Sequence, residues 1–232
     1  GPLGAKAGQA KVSLPGGCAI GERPVDQHLK GLSAMGAKIE LSGGYVLASA
    51  KRLKGAEITM DLVTVTGTEN LIMAAALAKG QTVLRNAARE PEVVDLARAL
   101  NSAGAKIRGA GTATVIIDGV EELAPLEHAV MADRIEAGTY MVAAGITRGE
   151  LTIADAPVEH MTAVIAKLKE AGLRFQPTPK GLVVSARRAP KPVTIMTEPY
   201  PGFPTDMQAQ LMALMALSTG SAVFQETIFE NR

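Results

Sequence analysis

A thiol and a guanidinium stand five residues apart in the stretch Pro15-Gly16-Gly17-Cys18-Ala19-Ile20-Gly21-Glu22-Arg23. A thiol can act as an acid or a nucleophile, and an arginine can fork onto a phosphate or a carboxylate. The three glycines of the stretch let backbone approach a ligand closely. Cys18 is the only cysteine of the chain, so it has no internal disulfide partner, which fits a reducing compartment. By residue type alone the stretch reads either as a site loop or as a flexible loop with an inert cysteine, and both readings stay open. A second candidate group, the carboxylate of Asp206, precedes the apolar run Met207–Ser218. Capping a helix N-terminus is the ordinary role there for Asp206 or for Thr205.

What must position these residues is a repeat. Gly36-Ala37-Lys38-Ile39, Gly104-Ala105-Lys106-Ile107 and Gly172-Leu173-Arg174-Phe175 follow one another at a period of about 70 residues. Gly8, Gly80, Gly149 and Gly220 keep the same period, each between a small-residue stretch and a strand-like run. Two interleaved series in step imply a recurring supersecondary unit. Strands are expected at Ala10–Leu14, Thr82–Leu84, Leu151–Ile153 and Ala222–Phe224, each entered through a glycine turn. Pro24, Pro91 and Pro157 then stand where helices would begin, because the missing N–H of proline costs nothing at that position.

The helices that follow are amphipathic, with Val25, Leu29, Leu32 and Met35 on one face of the first. Left-handed caps are expected at Gly36, Gly104 and Gly172, followed by strand pairs. A second helix set, Asn70–Lys79, Ala137–Thr147 and Met207–Ser218, is apolar nearly all round, which predicts burial. Met207, Met212 and Met215 read as core filler. The unit is thus βαββα, and the chain starts and stops in mid-unit, which reads as a piece of a longer protein. Between the first strand and its helix, the connection from Leu14 to Pro24 is much longer than Asn86 to Pro91 or Asp155 to Pro157. Extra loop length on a rigid repeat is where sites are usually built.

Composition sets the broad class. With 47% hydrophobic residues there is enough for a core, but no Trp, 3 Tyr and 4 Phe leave that core to Ala, Val, Leu, Ile and Met. A net charge of +1 with dispersed basic residues argues against a nucleic-acid partner. The longest apolar runs are too short to cross a bilayer, and no leader-like segment opens the chain, so no membrane partner and a cytoplasmic location are expected. No metal or cofactor is called for.

Five blocks carry a family resemblance. Val12–Asp26, Val65-Thr-Gly-Thr-Glu-Asn70, Asn86-Ala-Ala-Arg-Glu-Pro-Glu92, Phe203-Pro-Thr-Asp-Met-Gln-Ala-Gln210 and Phe229-Glu-Asn-Arg232 together resemble the UDP-N-acetylglucosamine enolpyruvyl transferase (1-carboxyvinyltransferase) family, in order and over the whole chain. The resemblance implies an inside-out α/β barrel of repeated units in two lobes, with residues 1–131 in the first domain and 132–232 in the second. It implies transfer of the enolpyruvyl group of phosphoenolpyruvate to the 3-hydroxyl of UDP-N-acetylglucosamine, releasing phosphate. That reaction is the first committed step of peptidoglycan synthesis, which serves cell-wall biogenesis, cell shape and division.

By the same resemblance Cys18 matches the family's acid, which also forms an adduct with phosphoenolpyruvate and is alkylated by fosfomycin. Asp206 matches the residue at the sugar hydroxyl, Arg23 a phosphate contact, and Arg232 an arginine of the cleft. Arg23, Pro24, Val25, Asp26 and Gln27 match the uridine-diphosphate loop, and Val63, Thr64, Val65 and Ile228 further nucleotide contacts. Some members carry lysine where Leu62 stands, so a phosphate contact from that side chain is absent. Glu90, Asp133 and Glu136 match acidic family positions, with capping or solvation as the equal alternative, and His28 is expected to orient its helix. As the last residue, Arg232 is expected to fray. Family residues that would contact phosphoenolpyruvate lie outside the chain, so the piece alone is expected to turn over weakly or not at all. Two alternatives stand beside this function: a folded but incompetent fragment, and the related enzyme acting on shikimate 3-phosphate. The Pro-Gly-Gly-Cys loop argues against the latter.

Overall fold

The structure, a computed structural model, describes residues 1–14 and 25–232. The described chain folds as two compact units, Gly1–Val130 and Met131–Arg232, each around its own core.

In the first unit, α1 (Pro2–Ala7) leads through Gly8 into β1 (Gln9–Ser13). After the undescribed residues come α2 (Asp26–Ala34), β2 (Lys38–Ser42) and β3 (Tyr45–Ser49). These strands form an antiparallel sheet in the order β1-β3-β2. Next are β4 (Glu57–Thr59), α3 (Val65–Ala75), β5 (Gln81–Arg85), α4 (Pro91–Ser102), β6 (Lys106–Arg108) and β7 (Thr114–Asp118). Their sheet is mixed: β4 runs parallel to β5, while β7 lies antiparallel between β5 and β6. The second unit repeats the pattern with α5 (Arg134–Thr147), β8 (Glu150–Ile153), α6 (Thr162–Glu170), β9 (Arg174–Thr178) and β10 (Gly181–Ser185). It continues through β11 (Ile195–Met196), a 3-10 turn at Thr205–Met207, α7 (Gln208–Met215) and β12 (Phe224–Gln225), with β11 parallel to β12.

The recurring motif has one strand more than βαββα. Both β4 and β11 precede a core helix and pair in parallel with the strand that follows it. Three and two residues are too few for alternation to show, so these strands exist only through non-local pairing. The glycines at 36, 104 and 172 take φ of 87°, 98° and 103°, the left-handed geometry of a helix stop. At the end of α5 the left-handed position falls to Arg148 (φ 54°) rather than to Gly149.

Pro91 opens α4 as expected, but Pro157 leads into a 3-10 turn, Val158–His160, and α6 begins only at Thr162. Helix α3 is buried along most of its length, whereas α7 buries Leu211, Leu214 and Met215 and leaves Met212 47% exposed. Met212 is therefore not core filler. Helix α7 packs on α5 and turns its other side outward, so an all-round apolar composition did not mean all-round burial. Helix α1, which holds the place of a core helix in the repeat, has no buried residue.

Close helix approach rests on glycines. A Cβ on Gly31 would stand 2.5 Å from Leu71 of α3, and one on Gly138 would stand 2.8 Å from the Met207 sulfur.

Candidate active site

In the first unit the start of α2 is clamped to the β4–α3 loop. Gln27, only 5% exposed, accepts from the Asp61 N–H at 3.0 Å and donates to the Asp61 carboxylate at 3.1 Å and that of Asp26 at 2.8 Å. Lys30 closes the clamp by donating to Asp61 Oδ1 at 2.5 Å and to the Thr59 carbonyl at 3.0 Å. Hydrogen bonds from Lys30 and then Gln27 hold the Asp61 carboxyl below its ordinary range.

Two residues beyond Leu62, Thr64 takes an extended backbone and accepts the Gly67 N–H at 3.2 Å, capping α3. Its carbonyl accepts the hydroxyl of buried Thr68, which in turn accepts the Ala88 N–H at 3.0 Å. The structure thus ties the segment Val25–Gln27 to the loop that leads into Val63–Val65. The Gln27 side chain is a clasp, since both ends of its amide are used internally. First-turn N–H groups of a helix such as α2 have no partner within the helix, and such a terminus favours an anion. Cys18, Arg23 and Pro24 lie outside the described residues. His28 is half-buried, and burial holds its imidazole below the usual value.

In the second unit Asp206, Ile228 and Arg232 come together. Arg232 Nη1 donates to Asp206 Oδ1 at 2.8 Å and to Thr205 Oγ1 at 2.9 Å, and its guanidinium lies 5.5 Å from the Phe229 ring centre. So Arg232 is held rather than frayed. The capping alternative for Asp206 fails, because neither the 3-10 turn nor α7 has a side-chain cap. Thr205 donates to Glu226 Oε2 at 2.9 Å, and Glu226 Oε1 accepts from Ile228 N at 2.7 Å and Phe229 N at 3.1 Å. Although its partial burial pushes the other way, the hydrogen bonds from Ile228, Phe229, Thr205 and Thr197 hold the Glu226 carboxyl below its ordinary value. The exposed Asp206 carboxylate keeps lone pairs, beyond the one used by Arg232, to which a hydroxyl placed beside it can donate a hydrogen bond.

Of the other acidic positions, Asp133 caps α5 by accepting from Ile135 N at 2.7 Å and Glu136 N at 3.1 Å, the capping alternative. Glu90 is buried at the N-cap of α4 without a cap hydrogen bond, so neither solvation nor side-chain capping describes it. Sequence reasoning missed Lys30, Asp61, Thr205 and Glu226 as site-forming. The only signal for them was proximity: Thr205 adjoins Asp206, and Glu226 stands two residues before Ile228. Among the described residues no cluster of His, Cys, Asp and Glu could hold a metal ion, and no helix is long and apolar enough to cross a membrane.

The enolpyruvyl transferases share this fold of recurring helix-and-sheet units. NikO from Streptomyces tendae, an enolpyruvyl transferase, superposes with a TM-score of 0.85 at 23% identity, covering 99% of this chain and 56% of its own. EPSP synthase from Acinetobacter baumannii superposes at 0.64 with 20% identity, covering 96% and 52%. The chain belongs to the EPSP synthase (3-phosphoshikimate 1-carboxyvinyltransferase) family, whose sequence signature spans residues 1–232. Within it, the chain is 59% identical over 232 residues to a UDP-N-acetylglucosamine 1-carboxyvinyltransferase of Geobacter metallireducens, covering all of this chain and 56% of that protein. The enzymes of the same name from Sorangium cellulosum and Myxococcus xanthus are 59% and 56% identical, again over the whole chain and 55% of each relative. The chain spans little more than half the length of these relatives.

Proposed function

We propose that this chain supplies the central part of an enzyme that transfers the enolpyruvyl group of phosphoenolpyruvate to the 3-hydroxyl of UDP-N-acetylglucosamine, for peptidoglycan synthesis. One observation carries the reading: identity of 56–59% along the whole chain to three enzymes named for that acceptor. Its two units are read as parts of the two domains, and its place as the cytoplasm.

The chemistry assigns roles. Phosphoenolpyruvate must gain a proton at its vinyl carbon, which makes the neighbouring carbon electrophilic. Cys18 supplies that proton, and the thiolate it leaves is stabilised by Arg23 nearby in the sequence. The sugar 3-hydroxyl attacks the electrophilic carbon while Asp206 takes its proton. Phosphate leaves with the proton that Asp206 took, and the Cys18 thiolate takes back one methyl proton, which restores the double bond as an enol ether and regenerates the thiol. Arg23 and Arg232 stabilise the charge on phosphate and carboxylate. The uridine diphosphate lies along Arg23–Gln27, with Val63–Val65 and Ile228 completing its contacts.

The Cys18 series tests these roles in the intact enzyme. Cys18→Ser is expected to lose nearly all turnover at neutral pH, because a hydroxyl is a far poorer acid than a thiol. Cys18→Asp is expected to keep substantial turnover, since a carboxylic acid can deliver the same proton. Fosfomycin, an epoxide, should add its mass to Cys18 in the wild type and leave the aspartate variant unmodified and resistant. Full turnover in the serine variant would remove Cys18 from the chemistry.

A further inference from the structure

The hydrogen bonds around Asp206 have a fixed polarity. Glu226 is held ionised by the N–H groups of Ile228 and Phe229, so it can only accept. The Thr205 hydroxyl, 2.9 Å from Glu226 Oε2, must therefore donate its single proton to Glu226. Its lone pairs are left facing Arg232 Nη1 at 2.9 Å, and the second hydrogen of Nη1 goes to Asp206 Oδ1 at 2.8 Å. The guanidinium is thus pinned on one nitrogen by both neighbours. Glu226 cannot swing away without freeing two backbone N–H groups, and its neighbour Thr227 is anchored on Thr197 by an N–H to hydroxyl bond of 3.0 Å.

Without Glu226 the Thr205 proton would be free to turn to the adjacent Asp206 carboxylate, occupying a lone pair that an acceptor hydroxyl needs. We propose that Thr205 and Glu226 are positioning residues for the transfer: Glu226 takes the Thr205 proton, Thr205 fixes Arg232, and Arg232 holds Asp206 with its remaining lone pairs open to the sugar hydroxyl. This rests on the reading of Asp206 as the group at that hydroxyl. Neither residue touches substrate in this scheme; they act through Arg232 and Asp206.

Thr205→Val keeps the shape and removes the relay, Thr205→Ser keeps it, and Glu226→Gln removes the obligatory acceptor. In the intact enzyme, Thr205→Val is expected to lower kcat by roughly 10- to 100-fold, the cost of misplacing a reacting group. The KM for UDP-N-acetylglucosamine should stay close to wild type, and Thr205→Ser should restore most of kcat. Glu226→Gln should fall similarly, and the double variant no further than the worse single one, because both changes break one chain. Wild-type kcat in Thr205→Val, or additive losses in the double variant, would overturn the proposal. Should Thr205→Val fold poorly, judged by its melting curve, Glu226→Gln and Thr205→Ser decide the matter alone.

Rotation of the Arg232 guanidinium, followed by nitrogen NMR, reads the relay without turnover. It should be slow in the wild type and fast in Thr205→Val, and equal rates would overturn the relay. A wild-type enzyme that does not act on UDP-N-acetylglucosamine, or full activity in Asp206→Asn, would instead overturn the functional reading and leave the NMR result to judge the relay.

Discussion

Glu69 sits half-buried on α3, and its carboxyl is pushed above its ordinary value first by burial, then by the charges of Glu92 and Glu90. A carboxylate whose folded pKa is raised costs stability once it ionises. The cost is absent below the unfolded value, builds as pH rises from there to the folded value, and persists at neutral pH. Glu69→Gln should accordingly raise the melting temperature at pH 7. The gain should shrink as pH falls and vanish below about pH 4, where glutamates are protonated in both states. A gain that stayed constant with pH would show that ionisation of Glu69 is not its cause. Residues of this kind were only partly legible beforehand. Cys18, Arg23 and Asp206 stood out because their chemistry or the Phe-Pro-Thr-Asp block marks them. The bonds from Gln27 to Asp61 and from Thr205 to Glu226 join positions 34 and 21 residues apart, and local pattern carries no trace of such pairings.

Elements were read best where sequence distance is short. A strand pair was expected after Gly104 and is formed by Lys106–Arg108 and Thr114–Asp118, and the turn glycines at 36, 104 and 172 take the backbone their positions called for. Strands β4 and β11 were missed, since a run such as Glu57-Ile58-Thr59 becomes a strand only when β5 lies beside it. Pro157 misled for a related reason: proline fixes its own φ but not the pitch of the turn after it.

Caps, by contrast, are local and testable. Asp133 holds two N–H groups at the head of α5, so Asp133→Ala should cost about 1 kcal/mol, read from the shift in denaturant midpoint at unchanged slope. Asp133→Asn, which keeps an acceptor oxygen, should recover most of that loss. An alanine variant as stable as wild type would mean that water satisfies those groups equally well.

On the scale of the whole molecule, the period of about 70 residues reports the architecture, because one supersecondary unit recurs in both compact bodies. Part of the proposed chemistry falls where the repeat departs from regularity, at the long connection between Leu14 and Pro24. The fold is shared with enzymes acting on different acceptors, so it cannot choose among them. That choice rests on the identity of 56–59% along the whole chain to three enzymes named for UDP-N-acetylglucosamine. It is tested most directly by offering the intact enzyme phosphoenolpyruvate with either UDP-N-acetylglucosamine or shikimate 3-phosphate and measuring phosphate release as kcat/KM. The account predicts turnover with the sugar nucleotide and none above background with shikimate 3-phosphate. Phosphate release with shikimate 3-phosphate alone would contradict it.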